Sequence, residues 1–98
     1  MLRCFIAEDE APARQRLKRL LAGVEGVSVV GEAADGVSAL EQVNALGPDL
    51  LLLDIQMPEL DGFEVLRALE VPKLPAVIFV TAYDTYAVRA FEVHALDY

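Results

Sequence analysis

Apolar residues gather in four short runs, Leu2 to Ala7, Val27 to Ala33, Leu50 to Asp54 and Ala76 to Thr81, each the length of one strand and rich in Val, Ile, Leu and Phe. The third and fourth, through Leu50-Leu51-Leu52-Leu53 and Val77-Ile78-Phe79-Val80, are apolar at every position rather than at alternate ones. That is the mark of strands covered on both faces, and so of a central parallel sheet. Helical spacing fills the gaps. Ala13, Leu17, Leu20 and Leu21 form one stripe, with Arg14, Gln15, Lys18 and Arg19 on the other side, Pro12 in the first turn and Gly23 at the end. Val37, Leu40, Val43 and Leu46 form a weaker stripe stopped by Gly47-Pro48, and Asp61 reads as the N-cap of a helix through Phe63, Val65, Leu66 and Leu69. A fourth helix is expected over Asp84 to Val93, and Ala95 to Tyr98 reads as the lead-in to a fifth strand. Strand and helix in strict alternation are βαβ units, so the expected fold is a doubly wound α/β layer structure.

With 98 residues, of which 55% are hydrophobic and 24% charged, the chain is one small domain with a core to bury. Eight basic against sixteen acidic residues leave a net charge of −8, which disfavours direct contact with nucleic-acid phosphates or anionic lipid. The apolar runs are far shorter than the ~20 residues of a membrane span, and Met1 leads into a strand without a signal-peptide pattern, so a cytoplasmic location is expected. A single cysteine, Cys4, lies in an apolar run and reads as a small buried hydrophobe.

In a doubly wound sheet, ligands bind beyond the carboxyl ends of the strands. Those ends carry Glu8-Asp9-Glu10, Ala33-Ala34-Asp35, Asp54 and Thr81. Consecutive acids also suit a helix N-terminus, but an aspartate that ends four leucines is poorly solvated unless something holds it. A Mg²⁺ ion would do so, since it takes one or two carboxylates, waters and a substrate phosphate. No Ser-His-Asp constellation is read around the one histidine, His94, no Cys/His cluster exists for zinc, and no glycine-rich nucleotide loop is present. What remains is a carboxylate beside a cation, able to attack phosphorus and form an acyl phosphate.

Glu8-Asp9, the string Leu50 to Pro58, Asp61-Gly62 and Val80-Thr81-Ala82 together resemble a bacterial response-regulator receiver domain along the whole chain, and the D-x-x-M-P-x-x-D-G string is specific at this spacing. The resemblance, not the hydropathy pattern, implies a flavodoxin-like fold with strand order 2-1-3-4-5. It also implies the roles of individual residues. Asp54 would be the phosphoacceptor, while Glu8, Asp9, Asp54 and the backbone carbonyl of Gln56 would hold Mg²⁺. Thr81 and Tyr98 would be the switch residues, and Met57, Pro58 and Gly62 would shape the loop over the site. The stretch Tyr86 to Tyr98 is similar to receivers whose output is a LytTR-type DNA-binding domain; His94 within it reads as a packing residue, and Tyr83 and Tyr86 as surface or part of a dimerising helix-four face.

Receivers carry a Lys-Pro pair shortly after the switch aromatic, and neither Lys18 nor Lys73 stands in for its lysine. The expected unit is therefore a receiver domain over residues 1–98 lacking the end of strand 5 and helix 5. Its expected partners are a sensor histidine kinase, DNA through an output domain outside this chain, and a second copy through the C-terminal region and helix 4. Two other readings remain at this stage: an interaction module that needs no phosphorylation, and an aspartate-nucleophile phosphatase. The latter requires D-x-D, and Asp54-Ile55-Gln56 lacks the second acid.

Overall fold

Four strands pair in parallel in a computed structural model that describes residues 1–80. They are β1 (Leu2–Ala7), β2 (Val27–Ala33), β3 (Leu50–Leu53) and β4 (Ala76–Phe79), in the order β2-β1-β3-β4. Helices α1 (Ala11–Ala22), α2 (Gly36–Leu46) and α3 (Gly62–Ala68) make the crossovers. The expected fourth helix, the lead-in to strand five, and Thr81, Tyr83, Tyr86, His94 and Tyr98 all lie outside the described residues.

Strand residues point alternately to the two faces, and both faces are apolar because each meets a helix layer. Phe5, Ala7, Ala33, Leu51, Leu53 and Val77 pack with Ala39 and Val43 of α2 and Val65 of α3. Cys4, Ile6 and Leu52 pack on the other face with Leu17 and Leu21 of α1. Cys4 is fully buried, as expected of a small hydrophobe, and burial pushes its thiol pKa up. β1 and β3, each paired on both edges, are the central strands of the sheet.

Local signals set the helix ends. Pro12 stands in the first turn of α1, and the Gly23 N–H closes it on Leu20 and Leu21. Asp35 caps α2 by accepting from the Ser38 N–H at 2.7 Å, and Gly47 ends it in the left-handed region at φ 56°. Asp61 and Glu64 form a capping box on α3, each carboxylate accepting from the other's backbone N–H.

Four details depart from the sequence pattern. β3 stops at Leu53 and β4 at Phe79, short of Asp54 and Thr81, although the Asp54 and Val80 N–H groups each carry the ladder one bond further. The fourth run is not covered on both faces by the described elements, because α1 lies over β1 and β2 and leaves Ile78 half exposed. Leu20 also faces outward, although it stands on the apolar stripe of α1. On α2, Val37 is exposed and the small residues Gly36 and Ala39 are buried instead.

Candidate functional site

Because β1 and β3 are parallel neighbours with Ala7 opposite Leu53, the residues that follow them leave the same edge of the sheet. The Asp54 N–H donates to the Ala7 carbonyl at 2.8 Å, and the Glu8 N–H to the Ala33 carbonyl at 3.0 Å, so the backbone N–H of each acid continues the ladder. Carboxylate oxygens of Glu8, Asp9 and Asp54 lie within 4.8 Å of one another. Glu8 and Asp54 are buried at 7% and 8% exposure, whereas Asp9 is open to solvent. The three consecutive acids are thus not a simple helix-dipole complement. Glu10 is the N-cap of α1 without a side-chain cap bond, and the first turn holds no acid.

Burial is the largest influence on Asp54 and pushes its pKa up to about 8; hydrogen bonds with the Asp9 and Glu8 carboxyls and the charge of Glu8 push the same way, and the Gln56 N–H on Oδ1 at 3.2 Å opposes them. Burial also raises Glu8, against its bond with Asp54. The cluster therefore holds a proton it would release to a cation. Among the described residues no lysine or arginine forms an ion pair with these three carboxylates. An all-oxygen set with one solvent-facing member fits a hard dication that keeps several waters.

The Met57 to Asp61 loop folds over this edge. Met57 packs on the core, and the Pro58 carbonyl accepts from the Gly36 and Leu60 N–H groups at 3.3 and 2.9 Å. Glu59 takes a left-handed φ of 72°. The Gly62 N–H donates to the Ile55 carbonyl at 2.8 Å, and a Cβ there would stand 2.7 Å from the Asp54 carbonyl oxygen. Only glycine lets α3 start so close to Asp54. Asp9, Gln56, Met57, Pro58 and Asp61 line one open cleft with Ile55. Of the residues expected at the site, Glu8, Asp9, Asp54, Gln56, Met57, Pro58 and Gly62 are brought together here, and Thr81 and Tyr98 fall outside the described residues.

Sequence reasoning missed Gly36, whose Cβ would overlap the Leu60 carbonyl, and Arg14, assigned to the solvent side of α1 but reaching the Glu8 carbonyl at 2.8 Å. A cation one turn from the N-terminus of a helix, the end at which the dipole disfavours it, was the available signal for Arg14.

A four-stranded parallel sheet of order 2-1-3-4, with three acids meeting beyond its central strands, defines a receiver-type signalling domain. Residues 4–98 match the response regulator receiver domain family, and the chain belongs to it. It is similar to the transcriptional regulatory protein BtsR of Salmonella typhi, 45% identical over all 98 residues, which span 41% of that relative's length. Among solved structures it is similar to the response regulatory domain of mrkE from Klebsiella pneumoniae (TM-score 0.85, 34% identity, 99% of this chain and 80% of that one). It is also similar to the CheX-CheY-BeF3-Mg complex from Borrelia burgdorferi (TM-score 0.78, 27% identity, 89% of this chain and 66% of that one). The chain is thus the receiver domain of a response regulator whose homologues regulate transcription, and its acidic cluster resembles the phosphorylation site. No helix among the described residues is long and apolar enough to cross a membrane.

Proposed function

We propose that the chain is a phosphoacceptor switch in which Asp54 takes a phosphoryl group from a sensor histidine kinase and thereby controls a transcriptional output. The observation that carries this reading is Asp54 itself, buried at the end of β3 with Glu8 and Asp9 oxygens within 4.8 Å. Glu8, Asp9, Asp54 and the Gln56 carbonyl would hold Mg²⁺, and the bound ion would neutralise charge on the transferred group. Asp54 must shed its proton on loading. Its carboxylate, oriented by the Gln56 N–H, then attacks phosphorus as the P–N bond of the donor phosphohistidine breaks, and the imidazole nitrogen keeps the electron pair. Gly62 and the Pro58 carbonyl keep the loop against Asp54, which leaves the open cleft beside Asp9 for the incoming group.

Thr81 would bond the phosphoryl oxygen and Tyr98 relay the change, by the family resemblance. Support for the output comes from BtsR, a transcriptional regulatory protein, and support for the ion from the Borrelia burgdorferi complex, which contains Mg. DNA would be reached through a LytTR-type output domain and not by this acidic unit, the setting would be cytoplasmic, and a second copy would dock through residues 84–98. Acetyl phosphate with Mg²⁺ should add one phosphoryl group to the intact protein and none to Asp54→Asn, read by intact-mass spectrometry. The same adduct on the Asn variant would overturn the assignment.

A further inference from the structure

Arg14 stands one turn into α1 with a side chain only 16% exposed, between two acceptors on different elements. Its Nη1 donates to the Glu8 carbonyl at 2.8 Å, and its Nε to Oε1 of Glu32 on β2 at 3.2 Å. Lys18, one turn further on, takes the other oxygen of Glu32 at 2.7 Å. The Lys18 and Arg14 bonds outweigh partial burial and hold the Glu32 carboxyl below the usual carboxylate range, so it is charged wherever the protein is folded at neutral pH. The Glu8 carbonyl belongs to the peptide that joins Glu8 to Asp9. Whatever fixes that peptide fixes the stems of two of the three acids, because one carboxylate hangs from each side of it. A guanidinium meets both acceptors at once with a rigid planar fork, which a single ammonium does not.

We infer that Arg14, braced by Glu32, is a positioning residue that holds the Glu8–Asp9 peptide and so sets where those two carboxylates stand relative to Asp54. The inference rests on the reading of the cluster as the Mg²⁺ and phosphoryl site. The bonds of Arg14 go to the Glu8 carbonyl and to Glu32 and to none of the three carboxylates, so it would act through the backbone that carries them. Outer partners of this kind typically govern metal affinity by 10- to 100-fold.

The test compares the intact protein with Arg14→Met, which keeps the aliphatic stem but loses the fork, Arg14→Lys, which keeps the charge, and Lys18→Met. The last removes an equal charge from the same glutamate without touching Glu8. Mg²⁺ affinity is measured by titration calorimetry, and the Asp9 amide resonance is followed by NMR in the metal-free proteins, since that N–H shares its peptide with the Glu8 carbonyl. Both Arg14 variants should weaken Mg²⁺ binding, Arg14→Met by about tenfold, and should move the Asp9 amide. Lys18→Met should leave both readouts unchanged. Equal weakening by Arg14→Met and Lys18→Met would reduce the effect to net charge and overturn the inference, as would an unmoved Asp9 amide in Arg14→Met. If the unmodified protein takes up no Mg²⁺, the reading of the site fails, and the metal-free Asp9 resonance still decides the role of Arg14.

Discussion

Asp54 and Asp9 divide the work of the cluster by their exposure. Asp54, at 8% exposure, is costly to ionise, whereas Asp9 faces solvent and contributes little packing. Asp9→Ala should therefore cost the fold nothing in metal-free buffer, with a melting temperature equal to or above that of the starting protein, because it removes one charge from a crowded acidic group. It should weaken Mg²⁺ binding by at least about tenfold, since Asp9 as a proposed direct ligand would matter no less than the outer partners whose loss costs that much. Thermal melts with and without Mg²⁺ check both, and unchanged Mg²⁺ binding would remove Asp9 from the site. At this scale Asp54 was legible, because an acid ending four leucines has no ordinary reason to be there. Arg14 was not, because helical spacing ranks it with Gln15 and Lys18 on the polar side; its bonds to the Glu8 carbonyl and to Glu32 on β2, distant in sequence from each other, turn it inward.

α3 is seven residues long, and its start is specified twice, by the Asp61–Glu64 capping box and by the approach of Gly62 to Asp54. The two devices should fail differently. Asp61→Ala loses a cap and should cost about 1 kcal/mol in denaturant unfolding, with phosphoryl uptake at Asp54 retained. Gly62→Ala forces a methyl against the Asp54 backbone and should cost more, with uptake reduced as well, because the shift is transmitted to Asp54, the proposed acceptor. Intact-mass spectrometry beside urea titration separates them, and normal uptake by Gly62→Ala would show that the loop absorbs the methyl. Elements were read well where hydropathy and capping agree: β1, β2, the Pro12 start of α1 and the Gly47 stop of α2. The apolar stripe of α2 misled, because its inward rotation is set by the small residues Gly36 and Ala39, whose size rather than hydropathy lets the helix approach the loop at Leu60. Cover for Ile78 on the α1 face does not come from the described residues, where α1 packs on β1 and β2.

For the whole molecule, the raised pKa of Asp54 makes stability depend on pH in an unusual direction. From the ordinary aspartate value of 3.8 up to about 8, the folded metal-free protein keeps a proton that the unfolded chain has released. The folded state binds more protons in this window, so stability from this group falls as pH rises through it. Glu32 acts oppositely and lower: its lowered pKa gives stability that is present above 4.5 and lost as pH falls. Thermal melts in chelator should therefore show a declining melting temperature across the neutral range. Saturating Mg²⁺ should flatten that decline and Asp54→Asn should reduce it; a metal-free protein equally stable at both ends of the window would contradict the shared proton. The parallel pairing of β1 with β3 also governs when the site comes into being. Parallel strands do not meet through a hairpin, and β2 and α2 intervene in the chain between Ala7 and Leu53, so on the ribosome Glu8 and Asp9 emerge long before the strand that brings Asp54 to them. No nascent or partly folded chain short of β3 possesses the cluster. Its three acids converge only as the central strands dock, so the cluster is a product of long-range pairing and not of any local segment.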